Sequence, residues 1–185
     1  MKKKPSTFKQ FLEAVDLPPN PPAIVQQHQE QRISGPEIIA TLLVREAGGQ
    51  GLEGMQAVLD VLVNRSKLDG KNLVEEALIF KQFSCLNNVV KNSSGELNKQ
   101  TIDVPLLQRM IEHSKQTPMF NDAYNLVKQA EQGTLKDITH GATHYHVYRG
   151  EKKVSPSWTA IELGGKNPKA VITAKIGDHA FLKGV

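Results

Sequence analysis

Cysteine occurs once in the 185 residues, at Cys85, so no intrachain disulfide can staple this fold. A lone thiol reads as a small buried hydrophobe before it reads as a nucleophile. Long apolar runs are missing as well. None approaches the ~18 residues of a membrane span, so no membrane insertion is expected. The basic start Met1–Lys4 mimics a signal sequence, but Lys9, Gln10, Glu13 and Asp16 interrupt any apolar stretch behind it. The expectation is therefore a chain without its own signal peptide. Aromatic residues make up only 5% of the chain and do not interleave with a Lys/Arg stripe, which argues against a nucleic-acid partner. Acidic excess is absent too. Lys+Arg 23 against Asp+Glu 19 gives a net charge of +4, which suits an anionic polymer without choosing which one.

What is present is organised around Glu37–Arg65. Ile39, Leu42, Leu43 and Glu46 recur at helical spacing and share one face. Glu46 closes that otherwise apolar face just before Gly48-Gly49. A carboxyl on such a face is costly unless it is paired or put to work. Burial and the negative helix end both favour the protonated form, as a general acid requires. The alternative is an exposed or ion-paired last-turn glutamate. Ser34-Gly35-Pro36-Glu37 is a helix start, so the first core helix is expected over about 36–47. Gly48, Gly49 and Gly51 form a corner. A second core helix follows over about 52–68, with Met55, Val58, Leu59 and Leu62 on one face, and Asp69-Gly70 ends it.

The remaining chain divides at residue 33. Residues 6–16 read as a short helix capped by Ser6 or Thr7, with Phe8, Phe11, Leu12 and Val15 as its stripe. Pro18, Pro19, Pro21 and Pro22 then impose an extended strap, and 23–32 is polar. The expected division is an N-terminal helix and Pro-rich arm over 1–33 and a catalytic domain over 34–185. Within the second unit, Asn72 and Glu75 form a capping box. Lys81–Leu97 reads as an irregular polar loop, and Asp103 starts a helix carrying Leu106, Leu107, Met110 and Ile111. Thr117-Pro118 opens another, which ends at Gly133. The pattern then changes to strands over 143–148, with a turn at Arg149–Glu151. A hairpin is expected over 170–183 about Gly177-Asp178. The expected fold class is α+β and mainly helical, with about six helices and a small antiparallel sheet.

Glu46, Ala47, Gly49, Glu53, Gly54, Ala57, Val58, Asn64 and Arg65 lie in a pattern that resembles the SleB-type cell-wall hydrolases, the spore-cortex-lytic family also found in phages. Further fragments follow in the same order: Phe80 with Phe83-Ser84, then Ala142–His146, Trp158, and Lys175–Phe181. The resemblance spans roughly residues 36–183. It implies a lysozyme-like, mainly helical domain that cleaves the glycan strand of peptidoglycan at the MurNAc–GlcNAc β-1,4 bond, with Glu46 as the catalytic acid and no cofactor. It also suggests a phage setting. There the enzyme would be made in the host cytoplasm and act on the wall or periplasm, as an endolysin or a virion-associated lysin. Other virion or lysis proteins would be partners of the N-terminal arm.

Two-carboxylate glycosidases hold their acids ~5–5.5 Å apart when retaining and ~6.5–9.5 Å apart when inverting. Here Glu46 has no convincing second acid. Glu53 either faces the cleft or satisfies a helix N-terminus. Asp60, in an apolar helix, reads as a buried partner for Arg65 or Lys67. A single acid suits lytic transglycosylation, to which the resemblance also leans; N-acetylmuramidase hydrolysis is the alternative. Asn64 and Arg65 either bind substrate or hold helices together. Gln82 and Ser84 are candidate substrate contacts, and Tyr145, Tyr148 and Trp158 are candidate sugar-stacking rings. His140, His144 and His146 raise a rival, a zinc-dependent wall endopeptidase. No H-E-x-x-H occurs, so no metal is expected. A non-catalytic wall-binding or virion protein is the remaining alternative.

Overall fold

The computed structural model describes residues 6–7, 33–92, 100–148 and 156–185. Helix α1 spans Gly35–Ala47, and its start is fixed by a capping box. Ser34 Oγ accepts from Glu37 N at 3.4 Å, and Glu37 Oε2 accepts from Ser34 N at 3.1 Å. Such reciprocal bonds satisfy donors that a helix start leaves open. Ile38, Ala40, Leu42 and Leu43 have no exposed surface and Ile39 has 1%, so α1 is buried on nearly every side. A 3-10 turn over Gly48–Gln50 leads into α2, Gly51–Asp69. Gly51 has φ 72°, a left-handed value that glycine takes without steric cost.

A short helix α3 covers Leu73–Ala77, and a 3-10 turn covers Ser84–Leu86. Two longer helices follow, α4 over Val104–Lys115 and α5 over Phe120–Glu131. Helix α1 packs against α5, α2, α4 and α3. This helical core takes Met55, Val58, Leu59 and Leu62 from α2, the face expected from periodicity. The opposite side of α2 faces elsewhere. Ala57 and Val61 pack with Phe181 of the C-terminal sheet and with Ala142 just before its first strand, so α2 is a wall shared by helices and sheet.

That sheet has strands β4 (His144–Val147), β5 (Val171–Ile176) and β6 (His179–Lys183), all antiparallel, in the order β4-β6-β5. Tyr145 is opposite Phe181 and Val147 is opposite His179. β5 and β6 form the expected hairpin about Gly177-Asp178. A side chain in place of Gly177 would collide with Gln50, whose Oε1 accepts from Asp178 N at 2.8 Å. The hairpin tip is thus pinned to the corner between α1 and α2. No helix among the described residues is long and apolar enough to cross a membrane.

Three local expectations change. Ser6-Thr7, expected within a helix over 6–16, form strand β1, opposite Ile102 and Thr101. The open edge of β3 (Gln100–Ile102) offers backbone groups that a strand satisfies and a helix cannot. The rest of the expected arm, 8–32, lies outside the described residues. Lys81–Leu97 is not wholly irregular, because Val90–Asn92 form β2 against β3. Val89 and Val90 are buried, and the polar residues around them concealed so short a strand. Helix α5 begins at Phe120 instead of Thr117-Pro118, since Thr117 closes a turn with its N–H and Oγ1 donating to Ser114 O. The turn expected at Arg149–Glu151 is also outside the described residues.

Candidate active site

Glu46 occupies the last turn of α1, where the helix runs out into the glycine corner. Its carboxylate is half-buried and receives three hydrogen bonds from two distant parts of the chain. Cys85 N donates to Oε1 at 3.0 Å and Ser84 Oγ donates to the same oxygen at 3.3 Å. Tyr145 OH donates to Oε2 at 3.0 Å. Burial and the charge of Glu46 hold the Tyr145 phenol well above its ordinary value, so this hydroxyl remains a donor at any working pH. The same two causes, in the same order, push the Cys85 thiol up. That leaves Cys85 a protonated thiol, not a nucleophile.

The carboxylate faces a cleft of about 520 Å³. One side is α1 and the segment after α3, with Arg45, Lys81, Gln82, Phe83 and Ser84; the other is β4 and its surroundings, with His144, Tyr145, His146, Trp158 and His179. Among the described lining residues Glu46 is the sole carboxylate. Trp158 stands with its ring centre 5.5 Å from that of His144 and 6.0 Å from that of His146. The alternation of β4 accounts for this, since residues two apart share a face. Burial lowers the pKa of His144, His146 and His179 alike, for His144 with help from Arg65 and for His179 against the pull of Glu46 and Asp178.

Two polar networks hold the walls. Glu76 is fully buried, and its Oε1 accepts from Arg65 Nε at 3.1 Å and from Gln82 Nε2 at 2.7 Å. The Arg65 guanidinium also donates to Gln82 Oε1. Burial raises the Glu76 pKa, with Arg65 opposing it. On the other side, α2 grips the loop that leads into β4. Gln56 Nε2 donates to Lys136 O at 2.8 Å, Ile138 N donates to Asp60 Oδ2 at 2.8 Å, and Asn64 Nδ2 donates to Ala142 O at 3.0 Å. Gln56, Asp60 and Asn64 are four residues apart and form one stripe. Asp137 ties the loop internally, accepting from Thr139 N and Oγ1 at 2.7 Å and from Gly141 N at 2.8 Å. Asp60 is 3% exposed, and burial, with the nearby charge of Asp137, raises its pKa to about 7 despite the Ile138 bond.

Of the residues singled out by sequence, the fold brings Glu46, Gln82, Ser84, Tyr145 and Trp158 together in one cleft. Glu53 is exposed in the first turn of α2 and does not line it. Asn64 serves the β4 loop, and Tyr148 packs beside Ala160, Leu163 and Leu182 with Lys175 Nζ 4.7 Å from its ring centre. Asp60 does not pair with Arg65, which turns to Glu76 instead. The histidine cluster separates. His144 and His146 flank Trp158, while His140 is exposed and does not line the cleft. Among the described residues no group of three or more His, Cys, Asp or Glu is placed to hold a metal ion. Sequence reasoning missed Arg45, Lys81 and His179 as lining residues; adjacency to Glu46 and Gln82 was the available signal for the first two. It missed Glu76 altogether, since nothing local marks a glutamate whose partners come from another helix and a turn.

Against known proteins, the family described as Cell Wall Hydrolase matches residues 49–182. The matched range begins just after Glu46, at the glycine corner, and includes every other element of the cleft except Arg45. No curated protein and no solved structure matches the chain.

Proposed function

The chain belongs to the cell wall hydrolase family, which degrades peptidoglycan, and from that premise we propose that it is a lytic transglycosylase cutting the MurNAc–GlcNAc β-1,4 bond with Glu46 as its acid and base. The observation that carries this reading is the solitary carboxylate. Glu46 is the sole acid among the described residues of the cleft. A mechanism that activates water with a second carboxylate has no candidate there. In the proposed reaction Glu46 gives its proton to the glycosidic oxygen as the C1–O4 bond breaks. The carboxylate then takes the proton of the muramic acid C6 hydroxyl, and O6 closes on C1. The product is a 1,6-anhydro end, and Glu46 regains its proton. One residue thus serves both halves of the reaction. Trp158 offers a ring face for a pyranose, and Gln82 and Ser84 offer polar contacts.

The proposed setting is of phage type, as an endolysin or a lysin carried on the virion, in line with the family resemblance. Digestion of purified wall in ¹⁸O-water tests the chemistry. A transglycosylase releases unlabelled anhydro-muropeptides, lighter by one water than hydrolysis products. Quantitative label at new reducing ends would replace the reading by muramidase hydrolysis. Glu46→Gln should lower the rate by ~10²–10⁴, the usual value of a general acid; retention of more than about a tenth of the rate would remove Glu46 from that role.

A further inference from the structure

Three basic side chains line the cleft beside Glu46: Arg45, Arg65 and Lys81. They are not equivalent. Arg65 is compensated by the buried Glu76 and engaged with Gln82. Arg45 and Lys81 are exposed and have no carboxylate partner among the described residues. On the opposite wall His144 and His146 are half-buried against Trp158 and His179 is buried beside Tyr145 and Phe181, and burial lowers the pKa of all three. Among the described residues, the positive charge of this cleft that no carboxylate pairs with therefore rests on Arg45 and Lys81.

Lys81 is held in a conformation that lysine does not favour. It is the third residue of the turn Ile79–Gln82, which Gln82 N closes by donating to Ile79 O at 3.0 Å. Its φ is 63°, a value that glycine adopts at no steric cost. Strain of this kind persists where the surrounding structure holds it, and it is enriched at ligand-binding sites; of the two described non-glycine residues with positive φ, Lys81 lines the cleft and His140 does not. The Lys81 ammonium also stands 5.2 Å from the ring centre of Phe80, a cation–π contact that steadies it at the rim. Arg45, next to Glu46 in the last turn of α1, suits the negative helix end, but that accounts for its charge and not for its place in the cleft.

We propose that Arg45 and Lys81 form a carboxylate-binding subsite for the peptide stem of the substrate, so that the protein selects glycan strands that carry peptides. The proposal deepens the glycan-cleaving reading above and rests on it. The sugar backbone of such a strand is uncharged and is met by ring faces and neutral polar groups. Free carboxylates come with the peptide on the muramic lactyl group. Two cations without a carboxylate partner among the described residues find none on the sugar and a fitting one on the stem.

The test is binding to soluble glycan strands with stems intact, and to strands whose stems have been removed by an amidase and whose freed lactyl carboxylates have been capped as methylamides, in a Glu46→Gln background that does not consume them. The expected preference for stem-bearing strands is roughly five- to tenfold at low salt, the scale of two exposed charge pairs, and it should fade at 0.5 M salt. Lys81→Gly combined with Arg45→Gln should bring the ratio close to one. Lys81→Gly alone should lower the ratio while leaving the Tm equal or higher, because glycine relieves the turn; that outcome separates lost recognition from lost fold. Equal weakening on both kinds of strand, or an unchanged ratio in the double variant, would overturn the proposal. If the unsilenced protein released peptides instead of sugar fragments from wall, the glycan reading would fall, whereas the binding ratio would still decide the subsite.

Discussion

Asp60 should make the protein lose stability as pH rises, and asparagine in its place should abolish that loss. Its ordinary value of 3.8 is raised to about 7, first by burial and further by the charge of Asp137. In the folded state it therefore keeps its proton across a window where the unfolded chain has given it up. Stability changes with pH in proportion to protons bound unfolded minus protons bound folded. Between 3.8 and about 7 that difference is negative, so stability falls as pH rises and levels off above the folded value. Each unit costs about 1.4 kcal/mol. Asparagine mimics the neutral acid, and its oxygen can accept the Ile138 N–H that Asp60 Oδ2 now accepts at 2.8 Å. Asp137 does not blur the slope. Burial raises its pKa, but the donors Thr139, Gly141 and Asn64 outweigh burial and hold it below the usual range. Relative to wild type, Asp60→Asn should gain about 2–3 kcal/mol between pH 5 and pH 7.5, or roughly 5–10 °C in Tm for a chain of this size. Urea unfolding of both proteins at several pH values measures it. A gap that stays constant with pH, or narrows as pH rises, would refute the claim that Asp60 is a buried, protonated clasp.

Three further outcomes are expected. Tyr145→Phe keeps the ring that packs on His179 and Phe181 and removes the donor to Glu46 Oε2. It should lower kcat on purified wall by about 10- to 100-fold, the worth of one hydrogen bond to a charged group, with little change in Tm. Glu76→Ala strips Arg65 and Gln82 of a shared buried partner and should destabilise by about 3–5 kcal/mol in equilibrium unfolding; a cost under about 1 kcal/mol would show the network to be dispensable. Cys85, its thiol pushed up by burial and then by Glu46, should react with iodoacetamide at pH 8 at least about tenfold more slowly than free cysteine, and a fast reaction would contradict that environment.

The elements that could be read from sequence are those whose cause is local. Ser34 with Glu37, Asn72 with Glu75, and Asp103 all cap where expected, because a cap is settled within four residues. The hairpin about Gly177-Asp178 is likewise settled by its own turn. β2 was hidden because three residues are too few for alternation to register, and β1 because its partner lies about a hundred positions away. The site divides in the same way. Glu46 announced itself by breaking an apolar stripe. Ser84 and Tyr145 were legible only as candidate substrate contacts and not as its donors, since both reach it through tertiary structure. Asn64 and Arg65 were legible as a polar pair at the end of an apolar helix, but sequence left open whether they serve substrate or structure. That choice depends on Asp137 and Glu76, whose positions no periodicity encodes.

Those two consecutive residues explain how one carboxylate comes to be held from both sides. Asn64 points its amide into the loop that feeds β4, bonding Ala142 O and Asp137 Oδ2. Arg65 turns to Glu76 and Gln82, on the segment that feeds Ser84 and Cys85. Successive helical residues project about 100° apart, so neighbours in sequence can serve opposite walls. Helix α2 thereby fixes the spacing between the donors on Glu46 Oε1 and the donor on Oε2. The corner that presents Glu46 is tied to the same frame, through Gln50 and the hairpin tip at Asp178. A reaction in which one group must first give a proton and then take one back gains from such a frame. Donors that are already in place need no rearrangement when the charge on the carboxylate changes.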